Sequence, residues 1–336
     1  MENIKKTLRN ILLGLTGFIV IYLILDYIGI NEIINVIKLV DIPIFVFAIA
    51  MYFVMVLVLL YRWKYILKIN NYNPTLKNLF LLIMTGQLIN NITPSMKGGG
   101  EPVRAYYLSK LENIPNSITY ASVTVERLLD TVIFLLMSLF VVVYFVIFNL
   151  PYATLLVISW LLLAIISLGL LYLVMHNSLL YKLILNIMKL IRVFYKSFEI
   201  DEERIKKGTK KFQRNLKFIY YNRKKMILPI IFSFLWWILD IFRVYVLFVA
   251  LKVNIPFVGV VSTYLISLLV GMLPTLPGGL GASDAVMIGT YSLFGIKPSQ
   301  AAAGTLLDRF ISFILASLIG AICFKIIKDK SDKIKK

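Results

Sequence analysis

Apolar segments long enough to cross a bilayer recur along this chain. The hydrocarbon core of a membrane is about 30 Å thick, and a helix needs about 20 apolar residues to cross it. We assign six such spans, at residues 11–30, 41–61, 118–149, 152–175, 226–250 and 301–325. With 60% hydrophobic and 16% charged residues, the chain contains more apolar side chains than a soluble fold can cover with polar surface. The sequence predicts an all-α polytopic membrane protein.

Two further apolar stretches, residues 76–110 and 257–294, are each interrupted in the middle by proline and glycine. The first interruption is residues 92–102, and the second is residues 273–281. Neither half of either stretch can cross a bilayer alone. Irregular backbone at membrane depth is tolerated only where protein surrounds it or where it lines a water-filled cavity. We therefore predict two re-entrant broken hairpins in addition to the six spans.

The distribution of basic residues predicts the orientation of the chain. If the N-terminus is inside, most of the 36 lysines and arginines fall in inner segments, including residues 62–75 and 177–225. The outer loops then contain only Lys38, Lys252 and Lys297. The net charge of +19 is thus explained by topology and by attraction to anionic lipids, not by nucleic-acid binding. We expect a cell-membrane protein with both termini cytoplasmic.

Residues 177–225 form the largest polar segment. Lys182, Lys189, Arg192 and Lys196 fall on one helical face, and apolar side chains fall on the opposite face. This pattern is typical of a helix that lies in the membrane interface. The segment anchors the protein to the lipid surface or binds a partner, and the pattern leaves both interpretations open.

The two interrupted stretches form an internal repeat. At a constant offset of 180, Pro94 aligns with Pro274, Gly98 with Gly278 and Gly99 with Gly279. After a gap of two residues, Glu126-Arg127 aligns with Asp308-Arg309. The predicted topology inserts the first hairpin from the cytoplasm and the second from outside. The halves, about 41–149 and 226–326 within one transmembrane domain, would then be an inverted repeat of the kind found in secondary transporters.

Ionisable side chains occur within the predicted membrane segments, where a charged group is energetically unfavourable. A charged residue at the centre of a bilayer helix costs about 2.5–3.5 kcal/mol on insertion scales, so one without a role is disfavoured. The residues concerned are Lys97, Glu101, Arg104, Glu126, Arg127, Asp130, Asp240, Arg243, Asp284, Asp308 and Arg309. Spacings of three and four residues predict the pairs Glu101–Arg104, Arg127–Asp130 and Asp240–Arg243. The Asp240–Arg243 pair either holds helices in register or takes part in function, and the spacing leaves both interpretations open.

The first hairpin has the chemistry of an anion site. Glycines allow close approach of the backbone, and the helix that restarts after them offers free N–H groups beside Lys97 and Arg104. The run is not a nucleotide-binding P-loop, because no Gly-Lys-Ser/Thr follows. Asn90 and Asn91 precede the break, where they bind headgroup hydroxyls or only satisfy the broken helix. The single cysteine and single histidine exclude a disulfide framework and multi-histidine metal centres, and we expect no cofactor.

Several of these runs resemble a known family. Residues 94–104, Glu126-Arg127 with Asp130, residues 276–281 and the late Arg309 are similar to motifs of the lysylphosphatidylglycerol synthase transmembrane-region family, often called flippase-like. Asp284 stands where the family pattern leads us to expect glutamate. The resemblance covers nearly the whole chain and implies the movement of a phospholipid or a lipid-linked headgroup between leaflets. No aminoacyltransferase domain follows in this sequence, so synthase activity is not implied.

We therefore expect a lipid transporter that is not an enzyme, with membrane lipids, anionic or lipid-linked, as partners. The alternatives are a membrane transferase that acts on a lipid phosphate, a small-solute transporter, and a passive membrane protein that positions a partner enzyme or forms a homo-oligomer. The candidate substrate-binding residues are Asn90, Asn91, Lys97, Gly98, Gly99, Glu101, Arg104, Glu126, Arg127, Asp130, Gly278, Gly279, Asp284 and Arg309.

Overall fold

The computed structural model describes residue 19 and residues 22–93, 99–176, 178–194, 201–271 and 281–334. All regular structure in these ranges is helical. Residues 94–98 and 272–280, which include the central part of each hairpin interruption, lie outside the described residues. Of the candidate site residues, Lys97, Gly98, Gly278 and Gly279 therefore remain predictions.

The helices are α1 (Ile30–Lys38), α2 (Ile42–Ile69), α3 (Leu76–Ile92), α4 (Gly100–Glu112), α5 (Asn116–Ile147), α6 (Ala153–Met175), α7 (Leu179–Phe194), α8 (Glu202–Tyr221), α9 (Arg223–Ala250), α10 (Phe257–Gly271), α11 (Ala282–Ser292), α12 (Pro298–Arg309) and α13 (Ala316–Ile334). A π-helical turn, Phe310–Leu315, joins the last two into one rod.

Among the described residues, five helical segments are long and apolar enough to cross a membrane: α2, α5, α6, α9 and the rod Pro298–Ile334. They coincide with five of the predicted spans, and the all-α polytopic architecture is confirmed. Half of the first predicted span, residues 11–30, lies outside the described residues, so the total number of spans remains a prediction.

Helices α2 and α9 run antiparallel through the middle of the bundle. At one end, the backbone N–H of Asp41, just before α2, donates to the carbonyl of Ala250 at 2.8 Å. Towards the other end, Tyr65 packs against Phe232 with 5.9 Å between ring centroids. Each helix has 28 residues. The two halves of the chain therefore meet along one antiparallel pair of helices, to which each half contributes one helix.

Each hairpin enters and leaves the bundle at a single end. Glu112, at the end of α4, accepts hydrogen bonds from the backbone N–H of Thr75 at 3.0 Å and from Asn78 at 2.7 Å, so α4 returns to where α3 begins. A Cβ on Gly259 of α10 would lie 2.9 Å from the ring of Phe294, just after α11. Since α3 follows the C-terminal end of α2, and α10 that of α9, the antiparallel packing directs the two hairpins into the bundle from opposite ends.

The close crossing of α3 and α4 depends on glycine. A Cβ on Gly100 would lie 2.2 Å from the carbonyl oxygen of Gly86, closer than any real contact allows. The missing side chain brings the first turn of α4 against α3. This contact fixes where Glu101 and Arg104 point.

The polar segment forms two helices, α7 and α8. Lys182, Lys189 and Arg192 lie on α7, whereas Lys196 lies outside the described residues. On α8, Gln213 donates to the carbonyls of Val174 and His176 at 2.9 and 2.8 Å. The buried face of α8 therefore caps the end of α6.

Opposite insertion of the hairpins predicts opposite exposure of their ends. In a Cys323→Ala background, we expect a membrane-impermeant thiol reagent to label Lys297→Cys in intact cells. It should label Lys110→Cys only after the membrane is opened, because Lys110 lies near the exit of the first hairpin and Lys297 just before α12. Labelling of both positions from the same side would contradict the inverted repeat.

Candidate functional site

The most deeply buried arginine of the first half is Arg62 of α2, whose side chain is 0% exposed. Its Nε donates to Glu126 Oε1 at 3.3 Å, and its Nη2 to Asp130 Oδ2 at 3.2 Å. Its Nη1 also bonds Asp130, and it donates to Ser233 Oγ of α9 at 2.9 Å. One guanidinium thus joins α2, α5 and α9.

The assignment of Arg62 to the basic inner segment 62–75 is therefore wrong. Helix α2 continues to Ile69, eight residues beyond the predicted end of its span, and Arg62 faces the bundle rather than the membrane surface. Glu126 and Asp130 lie on one face of α5, because both contact the same guanidinium.

Glu126 is shared between two arginines. Its side chain is fully buried, and its Oε2 accepts from Arg104 Nη2 of α4 at 2.6 Å. The Arg104 guanidinium also lies over the ring of Trp63, 4.7 Å from its centroid. The predicted pair Glu101–Arg104 is not made, because Arg104 points from α4 towards α5 instead of back along its own helix.

Arg127 is more open than the other arginines of this region, with 47% of its side chain exposed. Its Nη2 lies 2.8 Å from Glu101 Oε1, and its Nη1 lies 3.8 Å from Asp130 Oδ2. The predicted pairing with Asp130 is thus the weaker of its two contacts. Glu101, in the first turn of α4, is the main partner of Arg127.

These six side chains form the first charge cluster, which we define as Arg62, Arg104, Arg127, Glu101, Glu126 and Asp130. Its formal charges balance. Glu101 Oε2 and Arg104 Nε are buried and have no hydrogen-bond partner within the described ranges.

Asn90 and Asn91 satisfy backbone at two irregular places. Asn90 Oδ1 accepts from the N–H of Gly100 at 2.7 Å, and its Nδ2 donates to Glu101 Oε1 at 3.3 Å. Asn91 Nδ2 donates to Ser317 Oγ at 2.9 Å and lies 3.3 Å from the carbonyl oxygen of Ser312 in the π-helical turn. Both amides therefore have structural partners, and contact with a substrate remains a prediction.

Gly99 also has a steric role. A Cβ at this position would lie 2.4 Å from Thr93 Oγ1, so the chain approaches the end of α3 too closely for a side chain.

In the second half, Asp284 at the start of α11 pairs with Arg309 of α12. The distance from Arg309 Nε to Asp284 Oδ1 is 2.6 Å, and Arg309 Nη2 donates to Ser283 Oγ at 2.7 Å. Asp284 Oδ2 also accepts from the N–H of Gly281 at 2.9 Å and so caps its helix. This pair matches Glu101–Arg127 of the first half in its helices and in its position.

The second charge cluster, which we define as Asp240, Arg243 and Asp308, lies between α9 and α12. Arg243 Nη2 lies 2.8 Å from Asp240 Oδ1, as its spacing predicted, and 2.7 Å from Asp308 Oδ1. The hydroxyl of Tyr264 on α10 donates to Asp240. All three charged side chains are buried.

The ion pairs of the two halves correspond. The arginine of the long first helix, Arg62 or Arg243, pairs with the acid of the fourth, Glu126 or Asp308. The repeat therefore extends to two arginines, Arg62 and Arg243, that were not used to find it. At the offset of 180 that aligns the hairpins, Arg62 falls one residue short of Arg243, so the sequence alignment alone does not match the two.

Loss of the shared guanidinium should strongly destabilise the fold. Removing one partner of a buried ion pair costs about 3–5 kcal/mol, because the other charge remains without compensation. We expect Arg62→Met to lower the thermal stability of the detergent-solubilised protein well below that of Lys68→Met, a matched change at an exposed site on the same helix. Equal melting temperatures for the two variants would contradict the role given to Arg62.

The family model described as lysylphosphatidylglycerol synthase TM region matches residues 10–320. A UPF0104 membrane protein of Methanocaldococcus jannaschii is 41% identical over 334 residues, 99% of both chains. A UPF0104 membrane protein of Methanothermobacter thermautotrophicus is 31% identical over 324 residues, 93% of this chain and 94% of the relative. One of Pyrococcus horikoshii is 26% identical over 322 residues, 94% of this chain and 96% of the relative. The motif resemblance is confirmed: the chain belongs to the lysylphosphatidylglycerol synthase transmembrane-region family.

Proposed function

We propose that this protein moves a phospholipid, or a lipid-linked polar headgroup, between the leaflets of the cell membrane. The headgroup binds at the first charge cluster while the acyl chains remain in the bilayer. The observation that carries this proposal is the half-exposed guanidinium of Arg127 within a membrane-crossing helix.

The position of Arg127 makes its exposure informative. It is the twelfth of the 32 residues of α5, about 17 Å along the helix axis from the first residue. An open guanidinium at such a depth is stable only where it faces a wet cavity or a polar ligand, since hydrocarbon cannot solvate it. The exposed side of Arg127 is therefore where we place the contact with a polar group in the membrane.

The chemistry of the cluster suits a phosphate-containing headgroup. Arginine binds phosphate through parallel N–H donors, and the 3.8 Å contact between Arg127 and Asp130 is loose enough to be replaced by a phosphate oxygen. Glu101, the partner of Arg127, would be released from its 2.8 Å contact as the phosphate binds the guanidinium, and its carboxylate could then accept from a headgroup hydroxyl or ammonium. Because the formal charges of the cluster balance, one of its internal ion pairs can be replaced by an ion pair with the lipid headgroup.

The buried part of the cluster holds the open part in place. Arg62 and Arg104 both bond Glu126, which lies next to Arg127 in sequence, so α2 and α4 fix the rotation of α5 about its axis. We therefore assign headgroup binding to Glu101 and Arg127, and a structural role to Arg62 and Glu126.

Substitution of the open pair should stop transport without unfolding the protein. In vesicles that contain fluorescent phospholipids, we expect Glu101→Gln and Arg127→Gln to slow transfer between leaflets by tenfold or more, as judged by the accessibility of the label to an impermeant quencher. Arg214→Gln on the exposed face of α8 is the matched control and should transfer lipid at the rate of the wild type.

Elution as a single peak on gel filtration will show that each variant is folded. Wild-type rates for both variants of the open pair would reject this site. Conversion of a labelled lipid-linked sugar into a new product, detected by mass spectrometry, would favour the transferase alternative instead.

A further inference from the structure

We propose that a basic cavity at one end of the α2–α9 pair binds the phosphate group of an anionic membrane lipid. We define the basic cavity by its three lysines, Lys68 of α2 and Lys224 and Lys225 of α9. Its volume is about 600 Å³, within the range of about 300–1,000 Å³ that is typical of small-molecule sites. The basic cavity is distinct from the headgroup site at the first charge cluster, and the inference does not depend on lipid transport.

The basic cavity lies at the depth of lipid headgroups. Each of the two helices has 28 residues and is therefore about 42 Å long. This length matches a bilayer that includes its headgroup regions, about 40–45 Å, rather than the hydrocarbon core alone. The cavity is formed where α2 ends, at Ile69, and where α9 begins, at Arg223. Its lysines are therefore placed where lipid phosphates lie.

The lining of the cavity contains cations and no acid. No aspartate or glutamate is among the residues that line it. The surrounding sequence is equally free of acids, since none occurs between residues 42 and 100 or between residues 204 and 239. Within the described ranges, none of the three lysines forms an ion pair. Glu112, which contacts the end of the loop after α2, is occupied by Thr75 and Asn78. The positive charge of the cavity is therefore available to an anion.

A tight turn after α2 carries polar side chains to the same cavity. Asn71 has a left-handed backbone conformation, with a φ of 61°, and its N–H donates to the carbonyl of Lys68 at 3.0 Å. The chain reverses at this point, so Asn71, Tyr72 and Asn73 line the cavity beside Lys68. Amide and phenol groups can donate to phosphate oxygens that the lysines leave free.

The remaining lining residues favour a lipid over a soluble phosphate compound. Ile69 and Leu228 provide an apolar edge, and Tyr65 packs its ring against Phe232 of α9. The ammonium of Lys68 lies 5.9 Å from the centroid of the Tyr65 ring. Tyrosine is enriched at the boundary between headgroups and hydrocarbon, where its ring is in apolar surroundings and its hydroxyl remains wet. A phosphate bound by the lysines would thus have an apolar surface beside it for the start of an acyl chain.

The number of lysines predicts a preference among lipids. A phosphodiester headgroup contributes a single negative charge, whereas a phosphate monoester carries about 1.5–2 at neutral pH. Lysine binds phosphate as a point charge, without the fixed fork of arginine, so several lysines can surround one phosphate group. Three lysines from two helices therefore favour a lipid that ends in a phosphate monoester over a phosphodiester with the same acyl chains.

The test is the binding of short-chain lipids to delipidated protein in detergent, measured by titration with native mass spectrometry. The probes are dioctanoyl phosphatidic acid, dioctanoyl phosphatidylglycerol and dioctanoyl phosphatidylcholine, which share their acyl chains and differ in headgroup charge. We expect the wild type to bind phosphatidic acid at least tenfold more tightly than phosphatidylcholine. Phosphatidylglycerol should bind with intermediate affinity.

Variants of the three lysines show whether the basic cavity is the site. The combined substitution Lys68→Gln/Lys224→Gln/Lys225→Gln should weaken the binding of phosphatidic acid by tenfold or more, because it removes the charged donors to the phosphate. Each single substitution should give an intermediate loss, and the single variants answer the question if the triple variant does not fold. A matched control removes the same charge from exposed positions of α8 and should bind the lipid as the wild type does. This control combines Lys206→Gln, Lys210→Gln and Arg214→Gln.

A second series in the Arg127→Gln background excludes a contribution from the headgroup site. The difference between the cavity variant and its control should persist in this background. Loss of the binding in Arg127→Gln alone would place the lipid at the first charge cluster and would overturn the proposal.

Two other outcomes would also overturn it. One is equal affinity of the wild type for phosphatidic acid and phosphatidylcholine, or equal weakening in the cavity variant and the control. The other is competition by glycerol 3-phosphate at the same concentrations as the lipid, which would identify a soluble phosphate compound as the ligand. None of these readouts involves lipid transfer, so a failure here leaves the proposed function untouched.

Discussion

Burial of arginine against carboxylate at membrane depth is the constraint on which the rest of this structure depends. Arg62 and Arg243, on two antiparallel helices of equal length, each bond the acid of a later helix. Because hydrocarbon tolerates neither an unpaired ion nor unpaired backbone, these contacts fix which faces of the helices meet. The hairpins then fit between the long helices where glycine permits close approach, as at Gly100 against Gly86.

The same repeat produces two sites of different character. In the first half, three arginines balance three carboxylates, and about half of the Arg127 side chain is exposed. In the second half, Asp240 and Asp308 share one arginine, Arg243. A duplicated framework has thus diverged into an open neutral cluster and a closed one that lacks a cation.

Sequence patterns predicted the features that depend on local chemistry. Apolar length found five spans, proline and glycine found both hairpins, and helical spacing found the contacts Asp240–Arg243 and Arg127–Asp130. Spacing says nothing about neighbours on other helices, and for that reason it missed Arg62 and the pairing of Glu101 with Arg127. Arg62 was also missed because it directly follows the predicted span 41–61. A basic residue at the end of a span ordinarily lies at the membrane surface.

The most direct test of the central claim is native mass spectrometry with lipid analysis on gently purified protein. The wild type is compared with Arg127→Ala and with the exposed-arginine control Arg214→Ala. We predict that the wild type and the control retain a specific phosphate-containing lipid, and that Arg127→Ala loses it while remaining folded. An identical set of bulk lipids on all three proteins would contradict a headgroup site at the first charge cluster and would leave its charges as scaffold alone.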